Sequence, residues 1–166
     1  MERPGLLIPP RPDDTANNLR RPADIYLPAW YDGLPAALDF AVTAPQRLGI
    51  VATAAREALA AATAYSQQKR DHANTEADCT AAGVTFLPMV AETTGAWAPE
   101  ALLVLKQLAK AAAIKLGRDA AVVTKELLQG TAVTIRRANA RAHLRRFGAV
   151  PVVGTAPALI ELSADD

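Results

Sequence analysis

The sequence predicts an α/β domain in which a small mixed β-sheet is flanked by helices and followed by a helical, basic C-terminal part. Three observations support this class. Three short apolar segments, 23–27, 36–43 and 84–90, have the length and composition of strands. The segments between and after them are rich in helix-forming residues, and 37 of the 166 residues are alanine. A chain of this length is enough for one domain with a single core.

The chain divides into three predicted parts. Residues 1–20 contain four prolines and no hydrophobic period, so we expect an irregular N-terminal arm. Residues 21–150 form the folded domain. Residues 151–166 carry three acidic residues and no basic ones, and we expect an acidic tail without regular structure.

The first two strands are predicted to form a hairpin. Residues 23–27 suit a short strand that Pro28 ends, and 36–43 suit a second strand. Between them, the segment 31–35 supplies turn residues, among them Asp32 and Gly33.

A long helix and a third strand follow. Residues 47–78 lack proline and have no glycine after Gly49, which predicts one helix of more than two dozen residues. The apolar segment 84–90 then predicts a mostly buried strand. Its Pro88 removes one ladder hydrogen bond, so this strand lies at an edge of the sheet or has no partner at that N–H.

The C-terminal helices are marked by their end residues. Pro99 suits the first turn of a helix that runs to Leu116 and ends at Gly117. Asp119 is a suitable cap for a helix that runs to Leu128.

One more helix is predicted after an interruption. Gly130 breaks the helical pattern, and Thr131 is a suitable cap for a last helix through Phe147, with Gly148 as its stop.

The near-neutral total charge of +1 hides an uneven distribution. Residues 1–100 hold 8 basic and 12 acidic side chains, whereas 101–150 hold 10 basic and 2 acidic, a net charge of +8. Such density suits a polyanion, and its alternative is an ordinary solvated helix face. The expected DNA contacts are Arg136, Arg137, Arg141, Arg145, Arg146, Lys106 and Lys110.

Composition excludes several classes of function. No apolar run approaches the length of a membrane helix, so we expect an intracellular protein with no membrane partner. A single cysteine cannot form an internal disulfide, and one cysteine with two distant histidines argues against a zinc site. Cys79 is expected to be a small buried residue.

Two aspartates stand in otherwise apolar strands. Asp24 begins the first strand and Asp39 lies within the second, where a charged side chain is expensive unless it is paired or bound to a metal. Carboxylates on neighbouring strands repel each other and favour a hard cation, Mg²⁺ or Mn²⁺. The alternative is one buried salt bridge and one surface aspartate.

Lys69 lies in the helix after the second strand. Tyr65, Lys69 and His72 share one face of that helix by their spacing. A lysine beside a metal centre can neutralise charge that develops on a phosphate. Its alternative is a solvated lysine on a polar helix.

Four pieces of the sequence resemble, in order and spacing, the restriction-like endonuclease domain of site-specific non-LTR retrotransposon polyproteins, a branch of the PD-(D/E)XK nucleases. The resemblance covers residues 21–97 and extends loosely to 147. The pieces are RPADI at 21–25, ALDFAVT at 37–43, AY at 64–65 followed by Lys69, and FLPMV at 86–90 with TG at 94–95.

The resemblance implies a restriction-endonuclease-like core and a role for each matching residue. Asp24 and Asp39 would bind Mg²⁺ or Mn²⁺ together with the backbone carbonyl of Phe40, and Lys69 would be the catalytic lysine. Tyr65 and Glu92 are candidates for groups that support these residues, and Glu92 has the alternative of an ordinary charge at a strand end.

The sequence departs from the family pattern at two positions. Ala23 precedes Asp24 where the pattern has proline, which stands here as Pro22, and Ala41 occupies the usual lysine position. In the retrotransposon branch this lysine lies in the following helix, which is where Lys69 stands.

The resemblance also implies an activity and its setting. The domain would nick duplex DNA in the nucleus and leave a primer for a reverse transcriptase, alongside that enzyme and RNA-binding domains of a longer polyprotein. One alternative is a nuclease fold that has lost its chemistry and only binds nucleic acid. A helical protein-interaction domain is the other, although it leaves the strand aspartates unexplained.

Overall fold

A three-stranded mixed β-sheet organises the part of the chain that the computed structural model describes, residues 23–146. The strands are β1 (Ile25–Leu27), β2 (Ala36–Thr43) and β3 (Thr85–Glu92), in the order β1-β2-β3. Strand β1 is antiparallel to β2, and β2 is parallel to β3. The helices are α1 (Val51–Ala54), α2 (Ala60–Asp71), α3 (Thr75–Ala81), α4 (Pro99–Leu116) and α5 (Ala120–Arg146).

This arrangement confirms the predicted α/β class with a small mixed sheet flanked by helices. The predicted arm 1–20, the tail 151–166 and the end of the last helix at Phe147 and Gly148 lie outside the described residues. Among residues 23–146, the helices are too short or too polar to cross a membrane.

The hairpin between β1 and β2 has the predicted turn. Ile25 pairs with Leu38 across the two strands. Asp32 and Gly33 adopt positive φ angles of 50° and 76°, the conformation that Asp-Gly turns favour. The prediction of a hairpin at this position is therefore confirmed.

Strand β3 is the outer strand of the described sheet, as the proline in it suggested. Its Pro88 pairs in register with Asp39 and is nevertheless fully buried. Helices α2, α3 and α4 all contact β3, and the segment that precedes α4 bonds to its outer edge through the Ala91–Trp97 bridge and the Ala98 N–H to the Val90 carbonyl.

The prediction of one helix over 47–78 is wrong. The segment contains α1, α2, a 3₁₀ turn at His72–Asn74 and α3. The interruptions occur at Leu59, Ala73 and Asn74, whose φ angles are 64°, 50° and 59°. Helix propensity alone favours continuity here, and the packing of α2 and α3 against β3 overrides it.

Helix α4 has the predicted ends. Pro99 stands at its first turn, and Gly117 closes it with a φ of 62°. The predicted cap at the next helix is also confirmed, since Oδ1 of Asp119 accepts hydrogen bonds from the backbone N–H groups of Ala121 and Val122 at 2.9 and 3.0 Å.

The predicted break at Gly130 is wrong, because α5 is continuous from Ala120 to Arg146. A glycine inside a helix costs about 1 kcal/mol, which nearby contacts can offset. Thr131 caps no helix; its hydroxyl accepts a hydrogen bond from Nε1 of Trp97 at 3.2 Å and donates one to the Leu128 carbonyl.

Small side chains fill much of the core between the sheet and the helices. Alanines from β2, α2 and α4 pack with larger residues such as Leu38, Met89 and Leu105. Cys79 is fully buried, as predicted, and its burial raises the pKa of the thiol to about 11, so the thiol stays protonated at neutral pH.

Candidate active site

Asp24 is fixed to the backbone on both sides of Asp39. Its N–H donates to the Leu38 carbonyl at 2.9 Å, and its Oδ2 accepts a hydrogen bond from the Phe40 N–H at 2.7 Å. Leu38 and Phe40 are the residues immediately before and after Asp39. The local structure therefore places the Asp24 carboxylate at the β1 side of β2, near enough to Asp39 for its charge to raise the pKa of the Asp39 carboxyl.

Lys69 of α2 reaches Asp39 directly. Its Nζ lies 2.5 Å from Oδ2 of Asp39, and the two side chains are only 18% and 23% exposed. A half-buried pair of this kind is screened less than a surface pair. Asp24, Asp39 and Lys69, which the sequence singled out from three separate segments, are thus brought together.

The electrostatics of Asp39 reflect three influences. Burial raises the pKa of its carboxyl, the hydrogen bond and positive charge of Lys69 act in the opposite direction, and the negative charge of Asp24 raises the pKa further. The net pKa lies above the ordinary value of 3.8. A bound cation would relieve the repulsion between the two aspartates.

The donor set around these aspartates fits a hard divalent cation. In a β-strand the N–H and C=O groups of one residue point to the same side, so the Phe40 carbonyl lies on the side from which its N–H bonds to Asp24. Two carboxylates and a carbonyl, completed by water, match the oxygen coordination of Mg²⁺. No group of three or more His, Cys, Asp or Glu side chains that could hold a metal ion occurs within residues 23–146.

Tyr65 lies beside this group, and two cations approach its ring. Lys69 Nζ is 5.9 Å from the centre of the Tyr65 ring, and the guanidinium carbon of Arg47 is 5.6 Å from it. Arg47 also donates a long hydrogen bond of 3.4 Å to the hydroxyl of Thr43. Sequence reasoning missed Arg47, because its segment was assigned to a long solvated helix and only the contact with Tyr65 reveals its position.

Glu92 lies away from the two aspartates, at the start of α2. It is 6% exposed and pairs in register with Thr43, four residues along β2 from Asp39, or about 13 Å at the usual rise of a strand. Its Oε1 accepts a hydrogen bond of 3.4 Å from the Ala62 N–H, where α2 has no capping side chain and no acidic residue of its own in the first turn. Glu92 therefore stabilises the helix that carries Lys69.

The residues predicted to contact DNA are all exposed, but Arg136 differs from the others in bonding to another segment of the protein. Nε of Arg136 donates to the Thr94 carbonyl at 2.6 Å, which ties α5 to the loop after β3. Arg137, Arg141 and Arg145 recur every four residues, so they lie along one side of α5. The remaining predicted contacts are also exposed; they are Arg146 on α5, and Lys106 and Lys110 on α4.

An open cavity of about 670 Å³ lies on the other face of β2, next to α5. Phe40, Val42 and Trp97 line it, and the ring of Phe40 meets that of Trp97 edge to face at 6.3 Å between centres. Its one charged lining residue, Glu126, is paired with Arg118 at 2.7 Å. The ionisable groups of the candidate site are thus on the α2 side of the sheet and not in this cavity.

The fold and the site together define an α/β protein with a carboxylate–lysine cluster at the side of its central strand. Searches of protein-family models, curated proteins and solved structures return no match to the chain. The functional assignment therefore depends on the chain's own residues.

Proposed function

We propose that this chain is a metal-dependent DNA endonuclease of the PD-(D/E)XK type, similar to the restriction-like endonuclease domain of non-LTR retrotransposons. The observation that supports this most directly is the approach of Asp24 and Lys69 to Asp39. The residue just before β1, one from the middle of β2 and one from the C-terminal half of α2 meet there. A half-buried ion pair beside an exposed aspartate would make the same two contacts, and it differs from this proposal in binding no cation.

Each residue has a defined task in phosphodiester hydrolysis. Asp24, Asp39 and the Phe40 carbonyl would hold the cation, which when bound supplies a polarised phosphoryl oxygen and a more acidic water. Lys69 Nζ, already held beside Asp39, would donate a hydrogen bond to a phosphate oxygen and neutralise charge that develops on it. A water oxygen would attack phosphorus and release one proton to the solvent, the bond from phosphorus to O3′ would break, and O3′ would take up one proton from the solvent, which leaves a 3′-hydroxyl and a 5′-phosphate.

The exposed arginines of α5 would hold the duplex backbone. No acidic residue follows Glu126 within the described part of α5, so its C-terminal half is uniformly positive. Arginine contacts to phosphate give affinity without base recognition and make binding sensitive to salt. We therefore place target choice in other parts of a longer protein.

The same proposal includes a biological setting that rests on the resemblance. A nick with a free 3′-hydroxyl is the primer that a reverse transcriptase extends. The expected partners are that enzyme and RNA-binding domains of a parent polyprotein, acting on chromosomal DNA in the nucleus.

A second function, nucleic-acid binding without cleavage, is favoured by one specific observation. Lys69 already neutralises Asp39 in a short ion pair, and the usual lysine position on β2 is Ala41. A site that has lost its metal could be stabilised by such a pair. This alternative retains duplex binding by α5 and predicts no metal-dependent cleavage.

Nicking of supercoiled plasmid tests the two functions. Wild type, Asp39→Asn, Lys69→Gln and the control Lys115→Gln are compared in Mg²⁺, Mn²⁺ and EDTA. Lys115 is an exposed lysine on α4. We expect nicking by wild type and by Lys115→Gln only with a divalent cation, and a loss of at least about a hundredfold in the two site variants. Equal nicking by all four chains would refute the assigned site, and plasmid binding without nicking by wild type would favour the second function.

A further inference from the structure

Arg47 is linked to the candidate site through the ring of Tyr65. It follows β2 by four residues, donates to the hydroxyl of the buried Thr43 at 3.4 Å and lies over the ring of Tyr65. These two contacts hold the guanidinium against the α2 side of the sheet, while the Arg47 residue as a whole remains exposed.

Of the two cations near the Tyr65 ring, Lys69 is paired with a carboxylate, whereas Arg47 is paired with none among residues 23–146. Lys69 is engaged by Asp39, whereas the hydrogen bond from Arg47 to Thr43 uses only one of the five N–H groups of a guanidinium. An arginine that is oriented by an aromatic ring loses little freedom when it binds a second partner. Its planar donors match the oxygens of a phosphate.

We propose that Arg47 binds a backbone phosphate of the nucleic acid next to the phosphate that lies at Asp39 and Lys69. This inference rests on the proposed function and adds a contact that positions the strand at the site. Tyr65 acts as the platform that orients Arg47, since its ring lies within 6 Å of both cations. Arg47 is thus a binding residue: it contacts a phosphate of the strand that is cut, but it does not contact the bond that breaks.

The test is a scan with neutral methylphosphonate linkages in a fluorescent duplex. Anisotropy with Ca²⁺ in place of Mg²⁺ gives the dissociation constant for wild type, Arg47→Ala, Arg47→Lys and the control Arg56→Ala. Arg56 is an exposed arginine in the same connecting segment. For wild type we expect one linkage near the cut at which neutralisation weakens binding about fivefold. Arg47→Ala should bind the unmodified duplex about fivefold more weakly than wild type. Neutralising that one linkage should no longer weaken its binding, while the other linkages keep their wild-type effects. The slope of log affinity against log salt concentration should fall by about 1 in magnitude.

The two remaining variants separate charge from geometry. Arg56→Ala should keep the wild-type pattern, and Arg47→Lys should keep the salt slope but recover only part of the affinity, because lysine lacks the planar donors. If Arg47→Ala kept the wild-type sensitivity at every linkage, the inference would be overturned even with nicking intact. If the pattern held but wild type cut no DNA, the phosphate contact would stand and the nuclease proposal would fail.

Discussion

The break between α2 and α3 can be tested with a single pair of glycine substitutions. Ala73 is exposed and has a φ of 50° and a ψ of 27°, a left-handed conformation that L-residues with a Cβ avoid. Ala77 is equally exposed but lies inside α3. The same change, alanine to glycine, should therefore have opposite effects at two positions only four residues apart.

The magnitudes follow from the backbone. The left-handed conformation costs a residue with a Cβ about 1–2 kcal/mol. Glycine removes this cost but adds about 0.4–1 kcal/mol of chain entropy to the unfolded state, so Ala73→Gly should raise the free energy of unfolding by about 0.5–1 kcal/mol. Ala77→Gly should lower it by about 0.5–1 kcal/mol, because glycine is unfavourable within a helix. Loss of buried area contributes little at either exposed position.

Equilibrium unfolding in urea measures both changes on the same scale. The difference between the two variants should be about 1–2 kcal/mol, or a separation in melting temperature of about 3–8 °C for a domain of this size. If both variants were destabilised equally, the segment would be one continuous helix, and the reasoning from the left-handed residues would be refuted.

Three further predictions concern packing and charge. Ser66 is buried and its Oγ has no hydrogen-bond partner, so Ser66→Ala should raise the free energy of unfolding by about 1 kcal/mol. If the substitution instead lowered the free energy of unfolding by about 1 kcal/mol, the Ser66 hydroxyl would have a hydrogen-bond partner in the folded protein. Gly95 has a φ of 89°, and a Cβ at this position would lie 3.0 Å from Ala132, so Gly95→Ala should lower the free energy of unfolding in urea by about 2 kcal/mol or more. The control Gly49→Ala has open space around it and should change this free energy little. Equal losses in the two variants would contradict the close approach of Gly95 to Ala132. Because the folded-state pKa of Asp39 is raised above 3.8, its ionisation costs stability. In EDTA the stability of wild type relative to Asp39→Asn should be highest below pH 3.8 and fall as pH rises through the folded-state pKa, and a difference that rises with pH would contradict the assigned environment.

The ends of α4 could be predicted from the sequence to the residue, whereas the same kind of signal at Gly130 and Thr131 failed because α5 continues through both. Helix α4 begins at Pro99 and is closed by Gly117 because these residue types suit those positions in any context. The break at Leu59 has no such signal, since leucine rarely adopts a φ of 64°. It exists where the start of α2 meets the buried carboxylate of Glu92, a tertiary contact that no local pattern encodes.

The residues of the candidate active site also divide into those that a sequence pattern reveals and those that only a tertiary contact reveals. Asp24 and Asp39 could be identified because charged residues in apolar strands are conspicuous, and Lys69 because its helix follows β2. Arg47 could not be found this way, because an exposed arginine in a polar segment has no distinguishing pattern until Tyr65 is placed beside it.

Strand β2 connects the acidic and the basic parts of the molecule. Its side chains alternate, so Asp39 faces α2 and Lys69, while Phe40 faces the cavity beside α5. The short β1 pairs with β2 only as far as Leu38, so among the described strands none pairs with the β1 side of β2 beyond that point. On that side the Phe40 N–H donates its hydrogen bond to Oδ2 of Asp24. A net charge of +1 for the whole chain therefore says little about partners, because it is the sum of an acidic part that contains Asp24 and Asp39 and a basic part that contains α5.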